Sequence, residues 1–185
     1  MRAVFAILVL STVGCLGATS AHAQTAFTAS QLCAKPDPQL IVPVGDRPGH
    51  ALGVLHFKCQ WTTPMQIGSD ASKDGEDVET IEINGNVARA SGRHVSTMQS
   101  GDKAFVSYSG KETLKDRALV GSKGTWAFSG GTGKLTGIVG KGTYSCAASA
   151  DGVQCDVEGG YDITTTRAME AAPAVAAPAK KKRVD

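Results

Sequence analysis

Aromatic side chains are scarce in this chain: Trp, Tyr and Phe make up 5% of its 185 residues, which leaves few platforms for stacking on sugars or bases. Long apolar runs are scarcer still. Beyond residue 23, Gly, Lys or Asp interrupts every apolar segment, and nothing approaches the roughly 20 apolar residues that a membrane helix needs. Helical periodicity is lacking throughout. There is no Cys-x-x-Cys and no His-Glu-x-x-His, so zinc has no local ligand set. No Gly-x-Ser-x-Gly elbow is present. Ser100-Gly-Asp-Lys103 matches Ser-x-x-Lys, but Ser-Asp-Asn and Lys-Thr-Gly are missing, and the match is read as chance. With no complete catalytic set, no catalytic residue, metal ligand or cofactor is assigned.

A strong charge of one sign is also lacking. The overall net charge of +2 belongs to the two ends. Residues 24–167 hold 14 cations against 15 anions, a net −1, which gives no basis for a nucleic-acid-binding face.

What is present begins with an export signal. Met-Arg-Ala opens the chain, an apolar run spans residues 4–13, and Ala21-His-Ala23 follows. A cationic start, a short apolar core and an Ala-x-Ala site predict a cleaved secretory signal over residues 1–23. Cys15 after Thr12-Val-Gly also resembles a lipobox, a less favoured route to a lipid anchor because Thr12 stands where Leu is usual. Residues 168–185 are Ala/Pro-rich and end in Lys180-Lys181-Lys182-Arg183. Such a tail is expected to be disordered. The partner its charge would select, weakly, is an anionic surface, at about 1 kcal/mol per cation.

Four cysteines remain after the signal, an even number in an exported chain, which predicts two disulfides. The stretch 143–157 reads as a hairpin turning at Ala150-Asp151. Counting outward from that turn, Ser149 faces Gly152 and Cys146 faces Cys155 as a non-hydrogen-bonded pair, where side chains approach closely. Cys33 with Cys59 follows by elimination. Each closure contributes roughly 3 kcal/mol in the chain-entropy picture.

The middle of the chain reads as short strands. Period-two alternation marks 51–61, 79–83, 92–99, 103–109, 124–129, 134–149 and 153–163, with Asn84-Gly85-Asn86 a turn. A brief helix is expected near residues 30–34. The acidic stretch 70–79 reads as a polar loop. It begins like a calcium loop, with Asp70, Ser72, Asp74 and Gly75 in order, but Ile81 replaces the acid at position twelve. His50, His56 and His94 are expected to be solvated, and Trp61, Tyr108, Trp126, Tyr144 and Tyr161 to fill the core. Many short strands in one domain predict a sandwich or barrel, and glycines at 137, 140 and 142 favour the barrel. Gly130-Gly-Thr-Gly133 is a turn and not a phosphate loop: Phe128 occupies the first glycine position and Leu135 follows the Lys.

The stretch Gly130-Gly-Thr-Gly-Lys-Leu135, within 124–144 and preceded by 100–110, resembles the Gly-Gly-Thr-Gly-Lys-Phe segment of the allene oxide cyclase and dirigent barrels and of small secreted bacterial proteins like them. The resemblance covers residues 100–145. It implies an all-β, eight-stranded, calycin-like antiparallel barrel, often a homo-oligomer, and carries over no site residue. The functional expectation is non-catalytic binding of a small, partly apolar ligand or an envelope role, with a cyclase- or isomerase-like reaction in the lumen, or attachment through the basic tail, as alternatives.

Overall fold

A computed structural model describes residues 24–164. The predicted signal and the basic tail lie outside the described residues. The described residues form ten strands: β1 (Thr25–Ala34), β2 (Gln39–Pro43), β3 (His50–Thr63), β4 (Gln66–Ile67), β5 (Asp70–Asn84), β6 (Val87–Met98), β7 (Lys103–Lys115), β8 (Ala118–Gly131), β9 (Ile138–Ala148) and β10 (Gly152–Ile163). One 3₁₀ turn, Gly133–Leu135, joins β8 to β9. Among the described residues no helix is long and apolar enough to cross a membrane.

The sheet closes on itself. Each long strand pairs antiparallel with the next from β5 to β10, β10 pairs with β1, and β1 pairs with β3. β3 returns to β5 along Gln60↔Asp74 to His50↔Asn84 and completes an eight-stranded antiparallel barrel. Closure removes the open edges that a flat sheet would expose. β2 lies outside the ring on the first half of β3, and β4 on the start of β5.

Alternation sorts the side chains. On β6, Ala88, Ala90, Gly92, His94, Ser96 and Met98 point inward, while Arg89 and Arg93 point out. One end of the barrel is plugged by the buried side chains of Met65, Ile67, Met98, Leu135 and Ile138, which form the main core with Trp126, Phe128 and Tyr161. The Tyr161 hydroxyl accepts the Gly68 N–H at 2.7 Å and ties the 64–69 loop over that end.

Both cysteine pairs stand as expected. Ala148↔Val153 and Cys146↔Cys155 pair in register, and Ser149 N–H donates to Gly152 O at 2.8 Å. Cys146 is bonded to Cys155, and Cys33 to Cys59 across the β1–β3 closure. Two such pairs are typical of proteins from the cell exterior or the periplasm.

Two local expectations need correction. Residues 30–34 belong to β1 and not to a helix, because Ala29, Gln31 and Cys33 alternate inward. The 70–79 stretch is the first part of β5 and not a loop: a bulge between Ser72 and Asp74 resets the register, and alternation then divides its acids between the two faces of the wall.

Candidate functional site

Above the plug the barrel encloses a cavity of about 110 Å³, room for several waters or a small molecule. Its apolar lining includes Phe27, Phe57, Trp61, Met65, Val106 and Trp126. It extends toward the opposite end of the barrel, where the lining residues Leu119 and Val153 are half-exposed.

Glycines give the large lumenal side chains their space. A Cβ on Gly92 would come within 2.5 Å of the Tyr108 ring, and one on Gly75 within 2.6 Å of the His94 imidazole. Tyr144 lies against Gly110 and Gly124 in the same way, and Trp126 against Gly142 and Gly159. Tyr108 and Tyr144 meet edge to face at 5.6 Å. The Trp126 indole N–H is anchored on the carbonyls of Thr143 and Glu158.

Into this apolar space project three acids, Asp77 and Glu79 from β5 and Glu112 from β7, together with His94. The Tyr108 hydroxyl lies 2.9 Å from Asp77 Oδ1 and 3.0 Å from Glu79 Oε2. It has one hydrogen for two carboxyls, so the trio is fully satisfied when one carboxyl carries a proton. Burial, reinforced by the charges of Glu112 and Asp77 and opposed by the Tyr108 hydrogen bond, pushes the Glu79 carboxyl up to about 8. Burial also raises Glu112. Tyr108 is held far above its ordinary range by burial and then by the charges of Asp77 and Glu79, and stays an O–H donor. Tyr144 is pushed up to about 12, chiefly by burial, and its hydroxyl has no hydrogen-bond partner.

Several buried polar atoms on the lining have no hydrogen-bond partner: Gln31 Oε1, Trp61 Nε1, Glu79 Oε1, both His94 nitrogens and Ser96 Oγ. Glu79 and His94 are each 6% exposed, Gln31 8% and Ser96 0%. Leaving such groups unpaired costs about 1–3 kcal/mol each, and most buried polar groups in proteins find partners.

His94 is therefore a correction: it is a buried lumenal residue and not a solvated one. Its Nδ1 lies 3.7 Å from Asp77 Oδ2, and its ring meets Trp61 edge-on at 5.9 Å. His50 is a second correction: it lies outside the lumen but with its side chain only 10% exposed, between Asp46 and Glu82, while His56 sits on the Asp37 carbonyl. Trp61, Tyr108, Trp126 and Tyr144 line the cavity, and Tyr161 packs in the plug. The acids of the calcium-like stretch are split, since Asp77 and Glu79 face the lumen while Glu76 is exposed. Gly75, at the glycine position of that motif, serves to seat His94. Among the described residues no group of three or more His, Cys, Asp or Glu is placed to hold a metal. Only the second half of Gly130-Gly-Thr-Gly133 is a turn: Gly130 and Gly131 close β8, and Thr132 leads into the Gly133–Leu135 turn, where Asp102 accepts the Lys134 N–H at 3.0 Å. Ser100 lies in the β6–β7 turn and donates to Asp70, far from the role of a nucleophile.

Sequence reasoning missed Gln31, Asp77, Glu79, His94, Ser96 and Glu112 as one site. The available signal was on β6, where Arg89 and Arg93 mark the wet face and thus turn His94 and Ser96 inward.

No model of a known protein family matches this chain, and no curated protein matches it.

Proposed function

We propose that this protein is an exported barrel of the allene oxide cyclase/dirigent-like kind that holds a small, partly apolar molecule in its lumen. The observation that carries the reading is the set of unpartnered polar atoms on Gln31, Trp61, Glu79, His94 and Ser96 facing a largely apolar cavity. A few placed polar groups in an apolar pocket are the usual makeup of a small-molecule site. The two cysteine pairs favour an oxidising compartment, in keeping with the export signal expected over residues 1–23. Native mass spectrometry of gently purified protein tests the binding: a co-purified mass lost on denaturation is expected. A chain found only at its unliganded mass, with Trp61 fluorescence indifferent to a library of small apolar molecules, would overturn it.

One observation favours a second reading, an isomerase- or cyclase-like reaction in the lumen. Burial raises the Glu79 carboxyl to about 8, and the Tyr108 hydroxyl joins it to Asp77, so a carboxyl suited to donating a proton stands beside a second carboxyl. On this reading Glu79→Gln binds the molecule but no longer converts it. Conversion at the wild-type rate by that variant would exclude Glu79 as the acid.

A further inference from the structure

The charged lining of the lumen is one-sided. Asp77, Glu79 and Glu112 face it, and among the described residues no Lys or Arg does. His94 is the one titratable cation among these groups, and with Nδ1 3.7 Å from Asp77 Oδ2 it can offset at most one of the three acids. The phenols of Tyr108 and Tyr144 complete the set of titratable groups around Glu79. An anionic guest would enter a low-dielectric space already holding carboxyls, which is costly. Ring faces, in contrast, attract cations, and Phe57, Trp61, Tyr108, Trp126 and Tyr144 line the same space. Among the buried, unpartnered atoms of the lining, Glu79 Oε1 and Gln31 Oε1 are acceptors open to a donor from a guest, beside the donor Trp61 Nε1.

Building on the lumenal-binding reading, we propose that the lumen takes a small organic cation, a protonated amine on an apolar body, with its N–H groups donating to Glu79 and its body against the aromatic rings. A cation beside Glu79 favours the ionised carboxylate. The balance is simple: the ammonium enters with its charge, the Glu79 carboxylic acid becomes carboxylate, and one proton leaves to solvent. That Glu79 is raised to about 8 in the empty lumen makes this release visible near neutral pH.

The test compares three probes of one skeleton, benzylamine, benzyl alcohol and benzoate, by calorimetry at pH 7 in two buffers of different ionisation enthalpy, on wild type and Glu79→Gln. The expected result is benzylamine about tenfold tighter than benzyl alcohol, no benzoate binding, and proton release with the amine alone. Glu79→Gln should lose the amine preference and the proton release yet still bind benzyl alcohol, which also reports that the variant is folded. Benzyl alcohol matching the amine, or benzoate binding as tightly, would overturn the cation assignment while the lumen remains a binding site. If none of the three binds, the charge of a co-purified molecule decides: a cation upholds the assignment, and a neutral or anionic mass removes it. An empty lumen by both measurements removes this inference and the binding reading together.

Discussion

The hydroxyl of Tyr108 lies 3.0 Å from Oε2 of Glu79, and the same oxygen lies 2.9 Å from Asp77, so a single phenolic hydrogen serves two buried carboxyls. The hydrogen bond from Tyr108 lowers the Glu79 pKa while burial and the neighbouring acids raise it. Removing the hydroxyl in Tyr108→Phe therefore moves Glu79 further up. Carbon-detected NMR titration of the Glu79 carboxyl should show a midpoint above the wild-type value of about 8. The variant should also lose about 1–3 kcal/mol of stability, because Asp77 is left without its donor. An unchanged or lowered midpoint would mean that the phenol does not govern this carboxyl.

Glu79 also ties stability to pH. Its folded pKa of about 8 stands above the ordinary value of 4.5, so between those pH values the folded protein binds more protons than the unfolded chain. The contribution is fully present below pH 4.5 and is lost as the pH rises through 8, a change on the order of a few kcal/mol. Glu79→Gln keeps the hydrogen-bonding shape without the titration. Urea denaturation at a series of pH values should find a falling wild-type curve between pH 5 and 8 and a flatter one for the variant, with the variant the more stable at pH 8. Parallel curves would place the proton elsewhere.

How much of this was legible in the sequence depended on where polar residues sit. The β9–β10 register could be counted outward from Ala150-Asp151 because a two-residue turn fixes every later pair, and Cys146 duly faces Cys155. The barrel could be expected because glycines recur inside strands, and Gly140, with φ +154, and Gly142 are where backbones of β9 and β10 nearly touch. The lumen itself was hidden by its own chemistry. Alternation is read by assuming that polar residues face water, and here Gln31, Asp77, Glu79 and His94 face inward. That inversion made β1 resemble a helix and the first half of β5 a loop.

The two cysteine bonds should differ in their contribution. Cys33 and Cys59 are 26 residues apart, Cys146 and Cys155 nine. Chain entropy then assigns about 3.5 kcal/mol to the first and about 2.6 kcal/mol to the second. Cys33→Ala/Cys59→Ala should lose more than Cys146→Ala/Cys155→Ala, because the first bond also clamps the β1–β3 pairing that closes the barrel. Denaturant midpoints of the two double variants check the order, and a reversal would show that the barrel closes without help from the first bond.

Glycine substitutions separate crowding from backbone conformation. Gly45 has φ +83 and open space around it, so Gly45→Ala meets only the conformational penalty, about 1 kcal/mol. Gly142 has no such φ, yet a Cβ there would lie 1.9 Å from the Glu158 carbonyl and 2.7 Å from the Trp126 ring. Gly142→Ala must push β9 off β10 or tilt Trp126, and overpacking of that kind costs about 1–3 kcal/mol or more. Gly92→Ala presses on Tyr108 instead, a side chain that can rotate away, and in doing so it breaks the bridge to Glu79 and Asp77. Gly142→Ala should therefore show the largest loss of melting temperature and Gly45→Ala the smallest. Gly92→Ala should fall between them while reproducing the raised Glu79 titration of Tyr108→Phe. If Gly92→Ala instead left that titration at the wild-type midpoint, the space above Gly92 would not be what holds Tyr108 in place.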